Sequence, residues 1–225
     1  MMPWKLLDRA QMPESGEELR LYQRGREFSI RVDRHELMNS RVHGSEDALA
    51  ELACARIAHR PGPRILIGGL GMGYTTAAAL HRLGADGQVV VAELVPAVVA
   101  WNRGALADAA GRPLQDARVT VCEVDVAHIL QAEPWAYDAI VLDVDNGPAG
   151  LTRKDNDWLY ARAGLNAAYT ALRPAGVLAV WSASPDRAFA KRLCRVGFEV
   201  NEVRVRARGP GGGGRHIIWL AVRRS

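Results

Sequence analysis

Two sets of residues in this chain are spaced for chemistry. Gly68, Gly69, Gly71 and Gly73 form a glycine-rich turn directly after the apolar run Ile65 to Ile67, and glycines without Cβ atoms let a ligand approach the backbone. Carboxylates then recur where later apolar runs end: Glu93, Asp125, and Asp143 with Asp145. An acid about twenty residues beyond a glycine turn is placed to accept hydrogen bonds from ribose hydroxyls. Asp125 and the Val126 backbone offer an acceptor and a donor to an adenine edge, although Asp125 equally suits the N-cap of a helix over 126–130. Asp143 is a candidate proton acceptor. Asp145 could share that work or hold a cation, while the Asp-Asn-Gly-Pro run over 145–148 is also good turn chemistry. A glycine turn alone also serves close strand-to-helix packing, so the weight lies on four strand ends in register. Together they describe a nucleoside cradle beside a base.

These residues need a scaffold that brings strand ends to one edge. From Arg64 onward, apolar strands at 65–67, 89–94, 119–122, 139–142 and 177–181 alternate with helical patterns at 75–83, 96–106, 126–130, 157–172 and 186–195. That βα rhythm predicts an α/β, doubly wound, Rossmann-like fold with a mainly parallel sheet, whose ligands bind outside the carboxyl ends of the strands. The last two apolar runs, 199–205 and 217–222, are joined by a glycine-rich segment too short for a crossover helix. They therefore predict a terminal antiparallel hairpin and seven strands in all. Upstream, the alternation at 19–23 and 27–32 around Arg24-Gly25 signals a small hairpin. A helix follows from Ser45, with Glu46 and Asp47 at its positive end, until Pro61-Gly62-Pro63 stops it. Residues 1–60 thus read as a short N-terminal hairpin and helix, and 61–225 as the Rossmann-like domain that carries the cradle.

Composition narrows the class. The 225 residues are 48% hydrophobic with a net charge of +4, enough for a substantial core and too apolar for disorder. The basic excess gathers in Arg187, Lys191, Arg192, Arg195, Arg204, Arg206, Arg208, Arg215, Arg223 and Arg224. Without interleaved aromatics, that pattern favours solvated faces and guarded strand edges over a nucleic-acid partner. Cys54, Cys122 and Cys194 lie far apart among apolar neighbours and read as buried thiols. No signal peptide or span-length apolar run is present, so a cytoplasmic protein with no membrane partner is expected. The histidines show no ligand spacing, and His43 reads as a surface or capping residue. Trp135, Trp158 and Trp181 read as core, with Trp158 also placed to wall an acceptor pocket.

The chain resembles the spermidine synthases, within the S-adenosylmethionine-dependent methyltransferase-like fold. The resemblance is carried by Glu27 to Val32, Leu37-Met38-Asn39-Ser40, Ser45-Glu46, Ile67-Gly68-Gly69, Ala92-Glu93, Glu123-Val124-Asp125, the run from Tyr137 to Ala149, and Leu172-Arg173-Pro174-Ala175-Gly176-Val177-Leu178. It implies aminopropyl transfer from decarboxylated S-adenosylmethionine to a small-molecule amine such as putrescine, without a metal. Gly68, Gly69, Gly71, Gly73, Glu93, Asp125 and Val126 would hold the cofactor. Asp143 would accept the proton, with Asp145 beside it, and Glu46, Asp145 and Trp158 would contact the acceptor. An alkylammonium must lose a proton before it can attack carbon, which is why acids are needed. This chain departs from the family at Gly71, where an aspartate near the transferred group's amine is usual, and in its short N-terminal region, which carries the family's oligomer contacts; a homodimer is the assembly it could form. Two alternatives use the same cradle: methyl transfer from ordinary S-adenosylmethionine to a small molecule, and a non-catalytic nucleoside-binding relative.

Overall fold

The computed structural model describes the chain except residues 1, 14–15, 145–147, 149–155, 209–211 and 225. Two sheets are present. The first is antiparallel, in the order β1-β2-β3-β4, from β1 (Lys5–Gln11), β2 (Glu18–Arg24), β3 (Glu27–Val32) and β4 (His35–Asn39). The expected hairpin is its centre, β2 with β3. The outer strands are largely exposed, and the pairing of β1 with β2 and of β3 with β4 each carries a register shift. Such a shift breaks the two-residue alternation by which a strand is read from sequence.

The second sheet is built from β5 (Arg64–Gly68), β6 (Gln88–Ala92), β7 (Val119–Cys122), β8 (Tyr137–Leu142), β9 (Leu172–Ser182), β10 (Phe198–Arg206) and β11 (Arg215–Arg223), in the order β10-β11-β9-β8-β5-β6-β7. Strands β5 to β9 are parallel, and β11 enters antiparallel between β9 and β10. The seven-stranded sheet with its reversed last strand is the one expected from the βα rhythm. β8 is buried at every position, as a central strand covered on both faces must be.

Helices α1 (Gly44–Ile57), α2 (Tyr74–Arg82) and α3 (Pro96–Arg103) cover one face, and α4 (Val126–Ala132), α5 (Asn156–Tyr160), α6 (Arg162–Ala171) and α7 (Arg187–Val196) the other. The first core joins Leu19, Leu21 and Ile30 of the small sheet to Leu49 and Ile57 of α1 and to Ile65 and Val89 of the large sheet. A hydrogen bond of 2.6 Å from the Trp101 indole to Asp8 ties β1 to α3. The helical pattern over 157–172 is two helices. A Cβ on Gly164 would collide with the Trp158 and Leu159 carbonyls, so the chain turns tightly there only because residue 164 is glycine.

Three expectations about packing need correction. Only Cys54 is buried, with its thiol pushed up to about 12 by loss of water; Cys122 is half-buried and Cys194 exposed. Cys194 lies on the α7 face turned away from the buried Phe189 and Leu193. Trp135 is exposed in the turn before β8, its ring covered by the Arg223 guanidinium at 4.8 Å. Arg223 itself donates to the Tyr169 and Leu172 carbonyls, and Arg192 pairs with Asp186, so part of the basic C-terminal set is structural.

Candidate active site

The strand ends converge as the register requires. Gly69 N–H donates to the Ala92 carbonyl and Asp143 N–H to the Gly68 carbonyl, both at 2.9 Å, so the turns after β5, β6 and β8 lie side by side. Gly69 has φ +89, and a Cβ there would strike the Asp143 carbonyl oxygen. Gly73, at φ +85, begins α2 without a side-chain cap. Gly68 is in ordinary extended backbone, packed against Val126 and Leu142.

A cleft of about 820 Å³, its mouth included, opens over these turns and is lined by Gly69, Gly71, Glu93, Asp125, Val126 and Asp143. Its opposite wall comes from the small sheet: Leu19, Ile30, Leu37 and Met38, with Met12 beyond β1. A small side chamber adjoins it, lined by Asn39, Glu46, Tyr74 and Thr75, and shares Met38, Gly71 and Asp143 with the main cleft. The glycine cradle and the open cleft above it give a ligand direct access to the backbone, with the side chamber leading off it.

Each acid has a distinct setting. Glu93 is buried, and its two carboxylate oxygens accept the Leu70 and Val95 N–H groups at 2.9 Å each. Burial raises its proton affinity, while those N–H donors act in the opposite direction. The Gly71 and Leu94 N–H groups act on it in the same sense, so Glu93 pins the glycine turn from within the cleft wall. Asp125 is the N-cap of α4, accepting the Ala127 N–H at 2.8 Å, and it also lines the cleft. Both roles weighed for it from sequence are therefore sterically compatible.

Asp143 stands at the junction of the chambers and accepts the Thr75 hydroxyl at 2.6 Å. Burial pushes its proton affinity up, with the Thr75 hydrogen bond opposing. Glu46 faces it from the first turn of α1. Loss of water and then the Asp143 charge push Glu46 up to about 7, against hydrogen bonds from its own N–H and the Ser45 hydroxyl. Two carboxyls in one chamber do not both ionise freely, so the pair retains a proton near neutrality. Beside them, Tyr74 stacks on His43 with ring centroids 4.0 Å apart, and His43 Nδ1 meets Asp47 at 2.8 Å.

Asp145 lies outside the described residues. Trp158 lines neither chamber; it is half-buried against the core on the opposite face of the sheet. The sequence did not signal Thr75, Met38 or the wall from the small sheet as parts of the site. Met38 belongs to the Leu37-Met38-Asn39-Ser40 run, but nothing in that run says that its thioether fills the space beside Gly71. A Cβ at Gly71 would stand 3.0 Å from both Met38 Sδ and Cε.

No protein-family profile matches the chain, and no curated protein matches it. Its structure is similar to that of a spermidine synthase in complex with the transition-state analogue AdoDATO, at TM-score 0.76 and 16% identity over 99% of this chain and 74% of that one. Spermidine synthase from Thermotoga maritima gives 0.77 at 16% identity, with the same coverage. A probable spermidine synthase from Corynebacterium glutamicum ATCC 13032 gives 0.63 at 17% identity over 97% of this chain and 79% of that one. The chain has the spermidine synthase-like, methyltransferase-like fold. No helix among the described residues is long and apolar enough to cross a membrane.

Proposed function

We propose that the chain transfers an aminopropyl group from decarboxylated S-adenosylmethionine to a diamine. One observation supports this choice over other adenosyl sulfonium chemistry. The described lining of the two chambers carries Glu46, Glu93, Asp125 and Asp143, and no Lys, Arg or His. A cleft so lined attracts cations and gives the carboxylate of ordinary S-adenosylmethionine no charged partner. The decarboxylated cofactor and a diamine carry only positive charge.

Gly69, Gly71, Glu93 and Asp125 with Val126 would hold the cofactor, whose sulfonium supplies the leaving group when bound. The chain's own work is to position an amine and remove its proton. Asp143 accepts that proton, and its raised affinity brings it closer to the pH at which a base works well. Glu46, while ionised, holds the ammonium in the side chamber, and it can share the proton that Asp143 takes up. Thr75 fixes the Asp143 carboxylate, and the apolar wall excludes water, which strengthens these interactions.

Methyl transfer has one observation in its favour: Met38 fills the space beside Gly71 where an acid could have held the amine of an aminopropyl group. Calorimetric titration with S-adenosylmethionine, its decarboxylated form and methylthioadenosine separates the two. The decarboxylated form is expected to bind more tightly, and tighter binding of the carboxylate-bearing form overturns aminopropyl transfer.

A further inference from the structure

A line of hydrogen bonds leaves the side chamber. Ser45 Oγ donates to Glu46 Oε2 at 2.9 Å, and His216 Nδ1 meets the same Ser45 Oγ at 3.0 Å across 171 positions of sequence. Ser45 is 1% exposed, whereas His216, near the start of β11, is half-buried with its ring edge-on to Trp181 at 4.7 Å. On its far side, Nε2 lies 3.8 Å from where a Cβ on Gly214 would stand. The line thus runs from a buried carboxyl to the turn that joins β10 and β11.

A hydroxyl carries a single proton, and this fixes the direction of both bonds. While Glu46 is ionised, Ser45 donates to it, so His216 Nδ1 must carry a proton and Nε2 is bare. Once Glu46 is protonated, its O–H donates to Ser45, the Ser45 O–H donates to Nδ1, and the imidazole proton resides on Nε2. We propose that Ser45 and His216 form a proton outlet for Glu46, ending beside Gly214 at the head of β11. In the transfer, the Glu46 O–H bond breaks as a new Ser45 O–H bond forms. The original Ser45 O–H bond breaks as Nδ1–H forms, and the imidazolium releases its Nε2 proton to water. One proton moves from carboxyl to solvent, and nothing is oxidised or reduced.

The surroundings suit a carrier. Burial lowers the proton affinity of His216, so the ring does not trap the proton it receives. Glu46 is faced by Asp143, by Asp47 on its own helix and by Tyr74 on α2; His216 is faced by Ser45 of α1 and Trp181 of β9. The outlet rests on the reading that Asp143 and Glu46 take up the acceptor's proton.

Nitrogen NMR of the full chain labelled in histidine tests the outlet without turnover. Neutral His216 is expected to be the Nδ1–H tautomer above the Glu46 midpoint, about pH 7, and the Nε2–H tautomer below it. Ser45→Ala should abolish that switch and Ser45→Thr should keep it. A single tautomer across the range, or a switch that survives Ser45→Ala, overturns the outlet. In transfer assays with decarboxylated S-adenosylmethionine and a diamine, His216→Gln should lower kcat by about tenfold with KM unchanged; an unchanged kcat overturns the outlet. A parent chain that shows the switch but no transfer overturns the functional reading and supports the proton path.

Discussion

The two ends of β8 carry the same residue type in opposite settings. Asp138, near the amino end, is buried between two guanidinium groups, Arg60 at 2.6 Å and Arg173 at 2.8 Å, and accepts the Arg64 N–H at 2.8 Å. Arg60 also donates to the Pro174 carbonyl, so the cluster joins the segment entering β5, the start of β8 and the start of β9. Asp143, just past the carboxyl end, has among the described residues the neutral Thr75 hydroxyl for a donor and a second carboxyl for a neighbour. A buried carboxylate with its charge answered stabilises the fold. One left without a cation is poorly solvated, holds its proton more tightly and is ready to exchange it.

The largest expected effect breaks the chemical end. Asp143→Asn should reduce aminopropyl turnover by about 10²–10⁴-fold, the usual range for loss of an acid–base group, without loss of stability in urea. At the structural end, Asp138→Ala should cost about 3 kcal/mol in urea unfolding, because two guanidiniums lose their buried partner. Cofactor affinity per folded molecule, measured by calorimetry, should stay the same. Gly69→Ala is expected to cost about 2 kcal/mol by thermal unfolding, since it adds a Cβ at positive φ against the Asp143 carbonyl. It should weaken cofactor binding as well, which separates it from Asp138→Ala.

The pH dependence sharpens the contrast. Glu46 is raised from 4.5 to about 7 in the folded chain, so between those values the native state binds more protons than the unfolded state. Its contribution to stability is therefore fully present below pH 4.5 and is lost as pH rises through 7, by roughly 1–2 kcal/mol after solvent screening. Urea titrations at several pH values should show this slope, and Glu46→Gln should reduce it, leaving the part that buried Asp143 and Glu93 contribute with the same sign. The smallest effect is that of Asp8→Ala, about 1 kcal/mol for the lost Trp101 hydrogen bond, read by chemical unfolding.

The large sheet was legible because each β strand and its helix announce themselves locally: an apolar run, a turn residue, then 3.6-residue spacing. The same locality exposed Gly69, Glu93, Asp125 and Asp143, which sit at strand ends where sequence position and spatial position coincide. Strands β1 and β4 were not legible, because their exposed faces and shifted registers erase the alternation. Met38, Thr75 and the Ser45–His216 contact were hidden for a different reason. Each acquires its role only when elements distant in the chain meet, and no spacing records that a β11 imidazole will lie against the first turn of α1. Asp125 takes the N-cap role weighed for it and also lines the cleft, a position that spacing alone did not separate from the cap.

Among the described residues, the apolar wall of the cleft comes largely from a sheet that pairs with none of the strands of the sheet carrying the acids. That wall is held in place by the shared core, the Asp8–Trp101 bond and the Tyr74 hydroxyl on the Ser40 carbonyl. A ligand that needs both walls therefore has its measured affinity scaled by the fraction of molecules in which they meet. By the same linkage, ligand binding must tighten the seam between the sheets, so proteolysis in the β1–β4 region becomes a gauge of how full the cleft is.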